Sequence, residues 1–492
     1  MAYEYKFDTT VQLLKYKVLK SLVKKRYNGG LDESIYVEIP KQISPGPKAS
    51  MRCCVYKERA ILQERIQVAL GVGEYKDKKN VLQVIDIACD ECPAEGVHIT
   101  DSCRGCISHK CVDACPKKAL SIVGHRSVVD KSKCIECGKC TQACPYNAIV
   151  IRRRPCQRAC KVGAISMDEN FKAKIDDEKC IQCGACLAQC PFGAIQDKSY
   201  IMDAVDLLLG SYNNYNYKVY AMLAPAIASQ IDYASMGQIV TALKILGFYS
   251  VTEAAFGADI CLHKEAAEWK EQGVMTTSCC PAFVKFIEKN FPTLTKYISS
   301  SFSPMVEAAK VIKRNDPNAK VIFIGPCSAK KMEFKLEKTG GAIDCVLSFE
   351  EMLAYIDALE IDMAQLEESP LDEASYYGRI FAKSGGIKEG VVAVAKEQGI
   401  EGIKPVSMNG LDECKKELTM LKLNRSLYNF FEGMACDGGC VGGALNLHRD
   451  PKGIKLLDAF NRSASKKDIS ESVKQYQESL AREEVASSDA KE

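Results

Sequence analysis

The chain has 492 residues, too many for one ordinary domain and enough to bury several hydrophobic cores. Apolar residues make up 47% and charged residues 26%, and the formal net charge is only +3. This weak charge excludes the global field typical of nucleic-acid or membrane-surface binding, so we expect neither partner. The first residues lack the features of a signal peptide, and no apolar run approaches the roughly 20 residues that span a bilayer. We therefore expect a soluble, cytoplasmic protein.

The abnormal feature is the content of 26 cysteines. Disulfide scaffolds rich in cysteine are short and secreted, so in a long chain this number indicates metal ligation in a reducing compartment. The stretch from Cys53 to Cys190 holds 18 of the 26. Iron–sulfur clusters and zinc sites are the two alternatives that the spacing has to decide.

The first 50 residues carry three local signals. Residues 10–26 have the pattern of an amphipathic helix, which Asn28-Gly29-Gly30 would end. Residues 35–39 have the composition of a short strand, and Pro45-Gly46-Pro47 indicates a linker. From about Met202, short apolar strands alternate with longer helical patterns, which predicts an α/β domain with a largely parallel sheet. The charged tail from about Ser463 to Glu492 predicts a helix that frays.

The cysteine-rich stretch contains an internal repeat. Its four blocks are Cys103-x2-Cys106-x4-Cys111-x3-Cys115-Pro116, Cys134-x2-Cys137-x2-Cys140-x3-Cys144-Pro145, Cys156-x3-Cys160, and Cys180-x2-Cys183-x2-Cys186-x3-Cys190-Pro191. This pattern resembles the half-units of bacterial-type ferredoxins, in which four thiolates hold a 4Fe–4S cluster. A structural zinc site would need only two C-x-x-C pairs and would not repeat the C-x-x-x-C-P ending.

In two-cluster ferredoxins the fourth cysteine of a block ligates the other cluster. The resemblance therefore implies three accessory clusters, held by Cys103, Cys106, Cys111 and Cys144, by Cys134, Cys137, Cys140 and Cys115, and by Cys180, Cys183, Cys186 and Cys160. Cys156 and Cys190 are left without partners. The earlier Cys89-x2-Cys92 and Cys53-Cys54 could supply a fourth cluster with them, or could be plain buried thiols.

Three segments of the C-terminal part carry a second cysteine set. Thr277-Ser278-Cys279-Cys280-Pro281 is a polar turn before a helix near Ala282, a buried strand ends at Gly325-Pro326-Cys327, and Cys436-Asp437-Gly438-Gly439-Cys440-Val441-Gly442-Gly443 is rich in glycine. Ligands of open α/β sheets gather at such carboxyl ends of strands. In order and spacing these segments resemble the signature motifs of iron-only (FeFe) hydrogenases over residues 218–447.

That resemblance implies the H-cluster, a 4Fe–4S cubane joined to a diiron unit that carries CO, cyanide and a dithiolate. Cys280, Cys327, Cys436 and Cys440 match the cubane ligands, and Cys440 matches the thiolate that bridges to the diiron unit. We expect the flanking glycines to leave space for this bulky group.

The same resemblance assigns the residues around the diiron unit. Cys279 matches the thiol that transfers protons, and Glu265, Glu268 and Ser299 match the relay to solvent, although two glutamates on a helix are by themselves typical of a solvated face. Lys330 matches the lysine that pairs with a cyanide ligand. Ala224, Pro225 and Met434 match residues that line the diiron pocket, although Met434 could equally be core packing.

Several residues depart from the best-characterised branch of that family and resemble its group B. They are Ala226, Ala282-Phe283, Met305 and Gly325, which replace larger or more polar groups. A catalytically silent iron–sulfur assembly protein, a hydrogen sensor and a plain polyferredoxin are the competing interpretations.

Together these patterns predict a multidomain α+β and α/β protein, with ferredoxin-like 4Fe–4S modules before an H-cluster domain. The expected divisions are an N-terminal region at 1–95, ferredoxin-type units at 96–152 and 153–200, the catalytic domain at 201–462 and a tail at 463–492. The expected activity is the reversible reduction of protons to H2. The expected partners are a ferredoxin-like electron carrier and the hydrogenase maturation enzymes.

Overall fold

The computed structural model describes residues 7–76, 78–93 and 95–474. The predicted tail helix lies partly outside these residues: a new helical segment begins at Ile469, and the chain beyond residue 474 is not described. None of the described helices is long and apolar enough to cross a membrane.

The N-terminal segment is helical throughout. It forms α1 (Thr10–Tyr27), α2 (Ile35–Ile43) and α3 (Val55–Leu70). The prediction of α1 is confirmed, and its first turn is held by a capping box between Thr9 and Gln12. The predicted strand at residues 35–39 is wrong, because Ile35 and Ile39 lie one helical turn apart and are both buried in the core.

The cysteine-rich region consists of short helices and two-stranded antiparallel sheets. Its elements are β1 (Leu82–Val84), β2 (Gly96–Ile99), α4 (Lys110–Asp113), β3 (Leu120–Val123), β4 (Arg126–Val129), α5 (Lys139–Ala143), β5 (Ile149–Arg152), α6 (Pro155–Ala159), β6 (Ile165–Met167), β7 (Ala173–Ile175), α7 (Ala185–Gln189) and β8 (Ile195–Asp197). β3 pairs with β4 and β6 with β7, while β1 pairs with β8 and β2 with β5 across long stretches of sequence.

The C-terminal part is the predicted α/β domain. Its elements are α8 (Ile201–Gly210), β9 (Val219–Leu223), α9 (Met236–Ile245), β10 (Ser250–Glu253), α10 (Ala254–Gln272), β11 (Met275–Thr276), α11 (Pro281–Asn290), α12 (Pro304–Asn315), β12 (Lys320–Ile324), α13 (Ser328–Glu333), β13 (Cys345–Leu347), α14 (Phe349–Ala358), α15 (Tyr376–Ile380), α16 (Gly386–Glu397), β14 (Pro405–Asn409), α17 (Gly410–Lys422), β15 (Phe430–Met434) and α18 (Pro451–Arg462).

Two fully parallel sheets form the frame of this domain. One has the strand order β10-β9-β12-β13 and the other the order β11-β15-β14. Strands β9 and β12 are buried along nearly their whole length, as in sheets covered by helices on both faces. The prediction of a largely parallel sheet is therefore confirmed. Helix α1 packs against α14 and belongs to the same hydrophobic core.

A buried ion network joins the three parts of the chain. The Lys331 ammonium, on α13, lies 2.8 Å from a carboxylate oxygen of Asp197 and 2.7 Å from one of Glu351. Asp197 ends β8 of the cysteine-rich region, and its other oxygen lies 2.5 Å from the Lys15 ammonium on α1. Burial alone would raise the pKa of Asp197, but the two lysines hold it well below its usual range. The carboxylate therefore stays ionised between two cations.

Replacing Lys331 with alanine should destabilise the folded chain strongly. The substitution leaves Asp197 and Glu351 buried without one of their cations, a defect that costs about 3–5 kcal/mol. Urea unfolding, followed by circular dichroism under anaerobic conditions, measures the loss as a shift of the midpoint to lower urea. Lys24→Ala is the matched control, because its pair with Glu360 is exposed, and its midpoint should not move. Equal midpoints for both variants would contradict a structural role for the network.

Candidate metal centre and apolar cavity

The carboxyl ends of parallel strands meet at one place. Ala224 directly follows β9, Cys279 follows β11 after a two-residue turn, Cys327 follows β12, and Met434 ends β15. The sequence indicated this position for the strand before Cys327, and the structure brings the other strand ends to the same edge. The site thus lies where the two sheets converge.

Four thiols gather at this edge. Cys280 precedes α11, Cys327 precedes α13, Cys440 begins a short 3₁₀ turn, and Cys436 lies in the loop after β15. Burial, together with repulsion from the Cys280 thiolate, raises the pKa of Cys327 to about 11. Burial, together with repulsion from Cys327 and Cys280, raises the pKa of Cys440 to about 12. Such mutual repulsion means that the free thiols favour a cation or cationic cluster between them.

The glycines around Cys440 have a different role from the one expected. A Cβ on Gly439 would lie 2.7 Å from the Ser384 backbone nitrogen, and a Cβ on Gly443 would lie 2.6 Å from the Pro326 carbonyl oxygen. These glycines therefore let the ligand loop pack tightly against other backbone segments. The space for a bulky group is provided elsewhere.

That space is a cavity with almost entirely apolar walls. Its lining includes each residue predicted to contact the diiron unit, namely Ala224, Pro225, Cys279, Lys330 and Met434, together with Cys280, Cys327 and Cys440. Two of the unusual residues, Ala226 and Met305, also line it. The ring of Phe323 lies over Gly325 and forms part of the wall, so an aromatic side chain from the strand fills space near the small residue.

The predicted relay residues lie in a chain beside the cavity. Glu265 is buried, and one carboxylate oxygen accepts a hydrogen bond from the Ser278 amide at 3.4 Å, while the other has no hydrogen-bond partner in the described part of the chain. Burial raises the pKa of Glu265 to about 8. The Ser299 hydroxyl donates to Glu268 at 2.9 Å, and its position near Glu265 partly offsets the rise in the pKa of that carboxyl. The structure thus brings Glu265, Ser299 and the partly exposed Glu268 together in that order.

Cys279 lies at the inner end of this chain. Its side chain is buried, and burial raises the pKa of its thiol well above the usual value. The thiolate of Cys280 and the carboxylate of Glu265 raise the pKa of Cys279 further, while the Lys330 ammonium lowers it. Cys279 therefore remains a protonated thiol unless the site supplies positive charge.

Lys330 has a partner that the sequence analysis missed. Its ammonium lies 2.8 Å from a Glu333 carboxylate oxygen and donates to the Cys279 carbonyl oxygen at 3.2 Å. Glu333 also accepts a hydrogen bond from the Ser303 hydroxyl at 3.0 Å. Burial alone would lower the pKa of Lys330, but Glu333 together with the thiolates of Cys327 and Cys279 outweighs burial, and the pKa is raised. The spacing of Lys330 and Glu333, one helical turn apart, was the available signal.

The remaining cysteines of this domain form part of its interior. Cys261, Cys345 and Cys414 are buried and lie against backbone carbonyl oxygens of Phe302, Tyr200 and Met434. They act as small apolar side chains with a weak donor.

The ferredoxin-like blocks share one local geometry. In each block the last cysteine accepts a hydrogen bond from the amide of an alanine four residues later, over 3.1–3.4 Å. These pairs are Cys115 with Ala119, Cys144 with Ala148, Cys160 with Ala164, and Cys190 with Ala194. The residue before each alanine has a positive φ, which turns the amide toward the sulfur. Amide donation to cluster sulfurs is typical of iron–sulfur sites.

The structure brings together most thiols of the predicted accessory sets. Cys115, Cys134 and Cys137 raise the pKa of Cys140, after burial, and Cys160 and Cys180 do the same for Cys183. Ser127 bridges Cys103 and Cys111, since its amide lies 3.4 Å from one sulfur and its hydroxyl 3.8 Å from the other. Cys53 and Cys54 are exposed.

The innermost ferredoxin loop packs directly on the C-terminal site. The Ser328 hydroxyl, one residue after Cys327, donates to the Gln182 carbonyl oxygen at 2.8 Å. The thiolate of Cys183 contributes to the raised pKa of Cys436, after burial and two nearer thiolates. The two cysteine populations therefore meet at this contact.

One of the three adjacent arginines is not on the surface. Arg152 and Arg153 are exposed, but Arg154 is buried, with a guanidinium nitrogen 3.7 Å from the Cys89 sulfur. Arg154 is therefore available neither to a docking partner at the surface nor to solvent at the strand end.

Comparison with known proteins agrees with the two cysteine populations. The family described as "Iron only hydrogenase large subunit, C-terminal domain" matches residues 217–444, a 4Fe-4S dicluster domain matches 151–194 and a 4Fe-4S binding domain matches 127–150. Iron hydrogenase 1 of Clostridium pasteurianum is 32% identical over 410 residues, covering 71% of this chain and 70% of the relative.

Two further relatives have lower coverage or similarity. The cytosolic Fe-S cluster assembly factor NAR1 of Eremothecium gossypii is 35% identical over 99 residues, which cover 20% of this chain and 22% of that protein. A solved structure of the FeFe-hydrogenase HydA1 from Chlamydomonas reinhardtii is 21% identical, covers 56% of this chain and 93% of its own, and gives a TM-score of 0.47.

Replacing Gly184 with alanine should disturb the contact between the two cysteine populations. The new Cβ would lie 2.6 Å from that of Ala444 and 2.7 Å from the Ser328 hydroxyl, at a φ of +77°. Gly163→Ala is the matched control, since its φ is +64° but nothing lies within 4 Å of its Cβ. Backbone strain of about 1–2 kcal/mol is common to both, and overpacking adds about 1–3 kcal/mol only at Gly184. Thermal unfolding should separate the two variants by this difference, and equal midpoints would contradict the close packing.

Proposed function

The chain belongs to the iron-only hydrogenase family, with ferredoxin-type 4Fe–4S domains, and from this premise we propose that it catalyses 2H⁺ + 2e⁻ ⇌ H2 at an H-cluster. The observation that carries the proposal is the apolar cavity at the converging strand ends, which is lined by Cys280, Cys327 and Cys440 together with the buried Cys279 thiol and the buried Lys330. Electrons would arrive through the N-terminal clusters from a ferredoxin-like carrier. Assembly of the site would require the hydrogenase maturation enzymes.

The residues present fit the cofactor that this family implies. Cys280, Cys327, Cys436 and Cys440 would hold the cubane, and Ala224, Pro225 and Met434 would line the space for the diiron unit. When bound, this group supplies the metal at which protons and electrons combine. The apolar walls exclude water, so charges placed inside the cavity interact strongly. Lys330, held by Glu333, would present its ammonium to the anionic ligands.

Proton transfer would follow Cys279, Glu265, Ser299 and Glu268. At neutral pH Glu265 keeps its proton because burial raises its pKa to about 8, so it can donate toward Cys279. The Ser299 hydroxyl can pass a proton from Glu268 to Glu265 by donating to one carboxylate while accepting from the other. Glu268 is partly exposed and can be recharged from solvent.

Electron transfer would use the separate contact around Cys183. The loop at residues 180–184 touches Ser328, so the accessory cluster held by Cys160, Cys180, Cys183 and Cys186 would be adjacent to the cubane. Three accessory clusters follow from the cysteine sets described above. A reducing cytoplasm would keep these thiols available for iron.

The competing function is that of a catalytically silent iron–sulfur protein. The similarity to a cytosolic Fe-S cluster assembly factor supports this candidate. The cavity and the chain from Cys279 to Glu268 favour catalysis, because a cubane alone needs neither. A hydrogen sensor would share the cavity and differ in turnover.

Infrared spectroscopy tests the diiron unit. Purified anaerobically after coexpression with the maturation enzymes, the protein should show CO and cyanide bands and should evolve H2 from a reduced carrier. Cys279→Ala should keep the bands and lose at least about 100-fold in turnover, the usual scale of general acid catalysis. Cubane signals without the bands would establish the silent function, and bands without turnover in the unaltered protein would favour the sensor.

The Glu265 carboxyl should give H2 evolution a characteristic pH dependence. The rate should fall as the pH rises through about 8, because Glu265 then loses the proton that it must donate. Glu265→Gln cannot transfer a proton and should lower the rate about 100- to 10,000-fold at pH 7. Glu271→Gln is the control, since Glu271 is an exposed acid on the same helix. A Glu265→Gln variant with the unaltered rate and pH profile would exclude this path.

A further inference from the structure

Two cysteines are missing from the dicluster region. Two 4Fe–4S clusters require eight thiolates, but residues 151–194, which match the dicluster domain, hold Cys156, Cys160, Cys180, Cys183, Cys186 and Cys190. Four of these form the accessory set around Cys183. Cys156 and Cys190 then need two partners from outside the matched region.

Strand registers bring Cys89 and Cys92 to these two cysteines. In the antiparallel pair of β1 and β8, Val84 lies opposite Ile195, and the Ile85 amide still donates to the Ala194 carbonyl oxygen at 2.7 Å. Cys89 lies five residues after Val84 and Cys190 five residues before Ile195, so both are displaced toward the same end of the pair.

The register of β2 and β5 brings a second pair of cysteines together in the same way. In the pair of β2 and β5, Gly96 lies opposite Arg152. Cys92 lies four residues before Gly96 and Cys156 four residues after Arg152, again toward one end of the pair. Cys89, Cys156 and Cys190 pack in one hydrophobic cluster, and the pKa of Cys92 is raised by burial and then by Cys190 and Cys89.

Buried arginines lie beside these cysteines. Arg154 is 3.7 Å from the Cys89 sulfur, Arg65 donates to the Gly193 carbonyl oxygen, and Arg52 donates to the Phe192 carbonyl oxygen, just after Cys190. Each has one buried guanidinium nitrogen without a hydrogen bond among the described residues, while Arg52 lies 3.3 Å from a Glu91 carboxylate oxygen and Arg154 lies 3.6 Å from one of Glu95. Buried guanidinium groups with spare donors favour an anionic group beside them.

We propose that Cys89, Cys92, Cys156 and Cys190 hold a fourth accessory 4Fe–4S cluster. The cluster with its four thiolates is an anion, and the Ala173 amide, 3.3 Å from the Cys89 sulfur, provides the typical hydrogen bond to a ligand sulfur. The proposal assigns no ligand position to Cys53 and Cys54, because both lie outside the paired registers.

The same registers explain why the sequence hides this cluster. Residues 96–152 enter through β2 and leave through β5, side by side, so this ferredoxin module is inserted between the second and third ligands of a cluster. Without this inserted module, the remaining segments would form one continuous two-cluster ferredoxin. The new cluster is then the junction between the inserted module and the accessory cluster around Cys183, since Cys156 also raises the pKa of Cys186.

Iron analysis of the full chain tests the proposal independently of hydrogenase activity. Purified anaerobically, Cys89→Ser/Cys92→Ser should lose about four iron and four sulfide per chain and one electron paramagnetic resonance signal of the reduced protein. Cys53→Ser/Cys54→Ser is the matched control and should lose none. A Cys89→Ser/Cys92→Ser protein with the full iron and sulfide content would overturn the proposal. Infrared bands of the diiron unit do not depend on this outcome, so the two proposals can fail separately.

Thiol alkylation of the unaltered chain covers the case in which the variant fails to fold. Iodoacetamide should modify Cys92 in protein whose clusters have been removed by chelation, and should spare Cys92 in the cluster-loaded protein. Cys54 should be modified in both states, because it is exposed and ligates nothing. Equal modification of Cys92 in both states would overturn the proposal.

Discussion

The buried carboxylate of Asp197, held between Lys15 and Lys331, is the constraint on which the arrangement of the site depends. Lys331 belongs to α13, a six-residue helix that begins directly after Cys327 and also carries Lys330. One short helix therefore begins at Cys327, a proposed cubane ligand, and carries both the lysine of the cavity and the lysine of the ion network. Because Asp197 ends the cysteine-rich region, the same network sets where the innermost ferredoxin loop meets the proposed ligands.

Sequence reasoning succeeded where the chemistry is local. The C-x-x-C-x-x-C loops, the C-x-x-x-C-P endings and the parallel α/β pattern depend on neighbours within one turn or strand, and the resemblance to iron-only hydrogenases rests on such segments. Where local and distant effects disagreed, the prediction failed. Residues 35–39 have the composition of a strand, but burying Ile35 and Ile39 on one face made them helical.

The spacing of residues along the sequence does not predict contacts between distant segments. Arg154 follows two exposed arginines, yet it is buried beside Cys89, which is 65 residues away in sequence. The sequence shows Glu333 only as one more charged residue. Its role as the partner of Lys330 depends on the burial of Lys330 beside it. Among the glycines near Cys440, Gly439 and Gly443 admit neighbouring backbone, a role that spacing along the sequence does not reveal.

The adjacent cysteines, Cys279 and Cys280, separate the proton route from the electron route that the proposed reaction needs. Cys280 precedes α11 and faces the thiols that would hold the cubane, so it belongs to the electron side, in contact with the loop of Cys183. Cys279 faces Glu265 and the chain toward Glu268, so it belongs to the proton side. One peptide bond thus brings both routes to the cavity while their outer ends leave through different parts of the fold. Such a separation is what allows a dry cavity to receive charge of both signs without admitting water.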